Sequence, residues 1–121
     1  MRLRALRGAI TVKHNDAKAI LEATEELLRA MVDRNGLDHD DLVSCLFTCT
    51  PDLNAEFPAV AARNMGLSDV PLMCAQEMDV YGQLPQVIRV MMHCYAPPER
   101  KAEHVYLRDA TKLRLDMAGA Q

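Results

Sequence analysis

With 121 residues, half of them hydrophobic and only 4% aromatic, the chain has the size of one domain and must fill its core with aliphatic side chains and eight methionines. Fourteen basic against seventeen acidic residues leave a net charge of −3, which gives no broad attraction for nucleic acid or anionic lipid, so an anionic ligand must be held by local charges. No apolar run approaches membrane-spanning length, the opening Met1 to Val12 lacks the apolar core of a secretory leader, and four cysteines without a Cys-x-x-Cys pair point to a reduced, cytoplasmic protein without a zinc site.

The first element, Arg2 to Val12, ends in the β-branched run Ile10-Thr11-Val12 and reads as a strand. Leu3, Ala5, Arg7, Ala9 and Thr11 fall on one face, and Arg4, Leu6, Gly8, Ile10 and Val12 on the other. Both faces carry apolar residues and need cover. Asn15 or Asp16 then caps a helix to about Arg34, in which Ala17, Ile20, Leu21, Thr24, Leu27, Leu28 and Met31 form one stripe at steps of three and four. Asn35-Gly36 supplies its left-handed stop.

Asp38 opens a short turn, and Leu42 to Thr50 reads as a second strand. Here Val43, Cys45, Phe47 and Cys49 are expected to face one way, with Leu42, Leu46 and Thr48 facing the other. Pro51-Asp52 ends it, Ala55 to Met65 suits a short helix closing at Gly66, and Val70 to Val80 and Val87 to Tyr95 read as further apolar strands. Glu99 to Glu103 suits one helical turn, His104 to Leu115 mixes strand formers with charge, and the tail after about residue 114 is expected to be loose. The alternation of strands and helices in one domain over residues 1–121 predicts an α/β (α+β) fold, a mixed sheet with helices packed on one side. The other side then needs a neighbouring subunit.

Charge appears where burial is expected. Arg89 lies within Val-Ile-Arg-Val-Met-Met, Arg7 within Ala-Leu-Arg-Gly-Ala-Ile, and Glu77 at the end of Met-Cys-Ala-Gln-Glu-Met. A buried charge without a partner costs several kcal/mol, so two cations and one anion leave an excess that a small anion would balance. The same arginines could instead reach water at a strand end or meet a structural carboxylate. Charge placement alone leads no further than an anion pocket. The cysteines read as small buried hydrophobes, His14, His39 and His104 as surface or cap residues, and no glycine-rich phosphate loop is present.

These residues lie in stretches that closely resemble the trimeric, Bacillus-type AroH class of chorismate mutases: Arg4 to Val12, Thr50-Pro-Asp-Leu-Asn-Ala-Glu-Phe-Pro-Ala59 continuing to Arg63, Val70 to Asp79 with Gln-Glu-Met-Asp, Ile88-Arg-Val-Met-Met92, and His104-Val-Tyr-Leu107 followed by Leu113-Arg114. The resemblance runs nearly end to end. It implies a homotrimer whose subunits form a pseudo-α/β-barrel, with sites at the subunit interfaces that rearrange chorismate to prephenate without cofactor or metal. Carried over, Arg89 donates to the ether oxygen and the enolpyruvyl carboxylate. Arg7 and Tyr106 hold a carboxylate, and Glu77 accepts from the ring hydroxyl with Cys74 beside it. Phe57, Ala59 and Arg63 come from the adjacent subunit, Met73 adds to the substrate-binding set, and Arg114 belongs to a covering C-terminal segment. The position after Ala59, often lysine in the family, is Val60, which removes a basic group near the pocket mouth. Two other functions would use the same arginines: a non-enzymatic trimeric module binding a small carboxylate, and an imine or enamine hydrolase. The intact Glu77 argues against the first.

Overall fold

A computed structural model describes residues 1–116. The loose tail expected from the sequence lies, from residue 117 onward, outside the described residues. The elements run β1 (Arg2–Thr11), α1 (Ala17–Arg34), a 3₁₀ turn (His39–Asp41), β2 (Leu42–Cys49), α2 (Ala59–Asn64), β3 (Leu72–Gln76), β4 (Val87–Ala96), β5 (Val105–Leu107), a second 3₁₀ turn (Arg108–Ala110) and α3 (Thr111–Asp116). The strands form one sheet in the order β3-β2-β4-β1-β5. β4 pairs antiparallel with β1 and β2, while β3 lies parallel to β2 and β5 parallel to β1. The fold is thus the mixed α+β sheet that the order of elements predicts.

Helix α1 forms because its apolar stripe repeats at the helical period and both ends are capped. Asp16 is the N-cap, its Oδ1 accepting from Ala19 N at 2.7 Å. Asn15 does other work: its Oδ1 accepts from Asn54 N and Ala55 N, which ties the loop before α2 to the start of α1. At the far end Gly36 takes φ +60°, and Leu37 N donates to Val32 O, closing the helix. Ile20, Ala23, Leu27, Leu28 and Met31 are fully buried against the sheet. At Gly8 on β1 the helix packs so near that a Cβ would overlap Met31 Sδ.

Four expectations are corrected. A bulge between Leu42 and Ser44 shifts the start of β2 by one residue. Leu42 therefore joins Cys45, Phe47 and Cys49 on the buried face, and Val43 points out. The strand expected over Val70 to Val80 is only Leu72–Gln76, because β2 offers no partner beyond Cys49 except its carbonyl to Glu77 N, at 2.8 Å. Helices do not stay on one side either: Ala110 and Leu113 pack with Ala9, Val87 and Tyr106 on the face opposite α1. Glu99 to Glu103 holds a turn closed by Arg100 N to Pro97 O, not a helical segment.

That second face is only partly covered by the described residues. Leu3 and Tyr95, paired across β1 and β4, and Leu46 and Met73, paired across β2 and β3, are between 43% and 65% exposed. No helix among the described residues is long and apolar enough to cross a membrane.

Candidate active site

The pleat decides which side chains meet. Partners in register share a face, so Arg7 with Met91, Arg89 with Ala9 and Thr48, Leu46 with Met91 and Met73, and Tyr106 with Ala9 all lie on the face away from α1. Arg7 and Arg89 are diagonal neighbours on adjacent strands. Together with Leu46, Thr48, Met91, Tyr106 and Leu113 they line a cavity of about 390 Å³. Its wall is mostly apolar, which weakens solvent screening of the charges inside it.

Glu77 reaches this group from beyond the end of β3. Its Oε2 lies 3.3 Å from Arg89 Nε and accepts a 2.7 Å hydrogen bond from Thr48 Oγ1. The Glu77 side chain is 14% exposed and the Arg89 side chain 34%, so the pair is sheltered without being sealed. Arg7, half-buried, forms no ion pair among the described residues. Of the two cations and one anion that the sequence places in apolar strands, Arg89 and Glu77 are matched and Arg7 has no acidic partner among the described residues.

The other sequence-derived residues divide between two further surfaces. Cys74 pairs with Phe47 on the α1 side of the sheet and opens into a second cavity of about 340 Å³, with Phe57, Pro58, Glu56 and Gln76 in its wall. Phe57 is 67% exposed there; nearby, Ala59 is buried at the start of α2 and Arg63 is exposed in its last turn. Arg114, exposed on α3, lines a third cavity of about 440 Å³ with Lys101, His104 and Tyr106. Tyr106 adjoins both this cavity and the one holding Arg7 and Arg89. Met73 lies on the outer face beside Leu46 and is 65% exposed. Within one chain, then, the Arg7–Arg89–Tyr106 group and the Phe57–Cys74 group belong to separate cavities.

Two residues that sequence reasoning passed over belong here. Thr48 holds Glu77, and its alternation with Leu46 was the only trace of it in the sequence. His104, read as a surface or cap residue, is half-buried and accepts a 3.0 Å hydrogen bond at Nδ1 from the main-chain N–H of Arg7. Burial, with Arg7 nearby, lowers its pKa below the ordinary 6.5. The buried thiols behave as packing groups: desolvation pushes Cys45 and Cys49 up to about 12. Among the described residues no three His, Cys, Asp or Glu side chains cluster as metal ligands would.

Chemically, the arrangement offers fixed cations, a hydrogen-bonded carboxylate and a phenol around an apolar space. It offers a clamp for a small carboxylate-bearing molecule and donors for charge that develops on it. A family model described as chorismate mutase type I matches residues 3–117. Chorismate mutase AroH of Thermus thermophilus is 46% identical over 121 residues, spanning 98% of this chain and 99% of the relative. That of Bacillus subtilis (strain 168) is 42% identical over 120 residues, spanning 98% and 94%. The solved structure of a chorismate mutase from Clostridium thermocellum superposes with a TM-score of 0.87 at 48% identity, covering 90% of this chain and 98% of that one.

Proposed function

The chain belongs to the chorismate mutase type I family, and from that premise we propose how its own residues carry the reaction. The activity is that of an isomerase in aromatic amino acid biosynthesis, the rearrangement of chorismate to prephenate. A C–O bond breaks while a C–C bond forms within one molecule. No proton has to move and no nucleophile is needed. The protein must hold a flexible dianion in the compact conformer where its two ends meet, and must stabilise the negative charge that grows on the ether oxygen.

The observation that carries the assignment is the convergence of Arg7 and Arg89 from neighbouring strands on one apolar cavity. Arg89 faces the ether oxygen and the enolpyruvyl carboxylate, a task suited to a fork of donors that never deprotonates. Arg7 and Tyr106 take a carboxylate. Glu77, held by Thr48 and Arg89, accepts from the ring hydroxyl and complements positive charge on the ring. An acceleration of about 10⁶ corresponds to about 8 kcal/mol, and one donor to a developing oxyanion supplies about 3–4 kcal/mol of such a total.

The active assembly is a homotrimer with each site shared between subunits. Two features support this. The outer sheet face leaves Leu3, Leu46, Met73 and Tyr95 exposed, and the Phe57–Cys74 cavity is separate from the arginine cavity within one chain. Phe57, Ala59 and Arg63 of one subunit would then close the arginine cavity of the next, with Cys74 and Met73 contributing to the wall and Arg114 to its mouth. The free cysteines support a reducing compartment such as the cytoplasm.

The test is loss of chorismate absorbance on adding purified protein, with prephenate identified by acid conversion to phenylpyruvate. Turnover is expected. Saturable binding without turnover would overturn the assignment in favour of a carboxylate-binding module. Mixed trimers of Arg89→Ala and Arg63→Ala chains should recover activity that neither variant has alone, and no recovery would defeat the shared site.

A further inference from the structure

His104 occupies a gap in the sheet beside Arg7. The parallel pairing of β1 with β5 begins only at Gly8 with Val105 and runs to Ile10 with Leu107. One residue earlier β5 has no strand to offer, yet the Arg7 N–H still points that way and is half-buried. The His104 ring fills the place of the missing peptide carbonyl, its Nδ1 accepting from Arg7 N at 3.0 Å. The approach is braced: Asn35, buried at the end of α1, donates from Nδ2 to Glu103 O at 2.9 Å and accepts at Oδ1 from Glu103 N at 2.8 Å, fixing the residue just before His104.

We propose that His104 is a positioning residue for the rearrangement: its neutral ring, protonated on Nε2, holds the Arg7 main chain through Nδ1 and releases it on taking up a second proton. This rests on the reading of Arg7 as a substrate-carboxylate ligand. An imidazolium has a donor at both nitrogens and no acceptor, so protonation sets two N–H groups against each other. It also adds a cation beside the Arg7 guanidinium. The groups that face or adjoin the ring are Arg7 on β1, Lys101 and Glu103 in the segment before β5, Tyr106 on β5 and Arg114 on α3. Three of these five are cationic and one is acidic, which favours the neutral ring. Burial acts in the same direction. The fixed tautomer leaves Nε2–H as a donor.

The pH profile of kcat/KM tests this in the wild type and two variants. In the wild type kcat/KM should fall by about tenfold in all, and then level off, as His104 takes up its proton below the ordinary imidazole range. His104→Asn keeps an acceptor where Nδ1 stands and cannot titrate. It should stay within about threefold of wild type at neutral pH and lose the acid fall. His104→Leu removes the acceptor and should lose about tenfold in kcat/KM at neutral pH, chiefly through KM. Should that variant fail to fold, the asparagine variant carries the test alone. An acid limb unchanged in His104→Asn overturns the proposal. So does a nitrogen NMR spectrum of the substrate-free protein that shows His104 protonated on Nδ1 at neutral pH. Absence of turnover in the wild type at every pH would sink the functional reading itself, an outcome distinct from an active enzyme with an unaltered acid limb.

Discussion

Arg89 shows why residue type at one position matters more than charge. Its Nε sits 3.3 Å from Glu77 Oε2, and the residue lines the cavity shared with Arg7. Arg89→Lys keeps the charge and loses the fork, so kcat should fall by about 10²–10³ with little change in thermal stability. Near-wild-type turnover would refute the role. Glu77 depends on Thr48, whose hydroxyl donates to it at 2.7 Å. Thr48→Val should leave the carboxylate less well fixed and lower kcat by about tenfold, measured with the protein still folded by circular dichroism. The cysteines illustrate the opposite case. With Cys45 and Cys49 pushed up to about 12 by burial, neither is a thiolate at pH 8, and a disulfide-exchange reagent should reach them only after denaturation.

At the scale of elements, the period-2 alternation in β1 places Arg7 and Gly8 on opposite faces, one toward the cavity and one under α1. Gly8 packs directly under the helix, and a methyl there would press on Met31 Sδ and Leu27 Cδ1. Gly8→Ala should destabilise by about 1–3 kcal/mol, read from a denaturant melt, and should disturb the adjoining Arg7 as well. Unchanged stability would mean that the Met31 thioether swings aside freely. The strong α1 stripe and the Asn35-Gly36 stop were legible in the sequence because they rest on local rules. The bulge at Leu42–Ser44 was not, since it comes from pairing with β4, half the chain away. Nor was the early end of β3, for an apolar run cannot show where its partner stops.

The molecule as a whole has one well-covered sheet face and one that is apolar yet open. Leu3 and Tyr95 lie opposite each other on that open face, 53% and 46% exposed. Sedimentation should report a trimer, and Leu3→Glu should shift it toward monomer. Activity should fall in parallel, although Arg7, Glu77 and Arg89 are untouched. A fully active monomer would show that one chain holds a complete site.

The strands β1, β2 and β4, the helix α1 with its Asn35-Gly36 stop, and the presence of unexpected charge in three apolar stretches were settled by residues close together along the chain, whereas the helix Thr111–Asp116 and the choice of Asp16 over Asn15 as N-cap were not. The motif resemblance is what proposes a substrate role for those charges. What remained out of reach was geometry that depends on partners distant in sequence: the sheet order β3-β2-β4-β1-β5, the Thr48–Glu77–Arg89 linkage, the side on which Cys74 opens, and the His104 ring closing a gap beside Arg7. Alternation tells which residues share a strand face. Only pairing register between strands decides which faces are brought together, and with them which charges become neighbours.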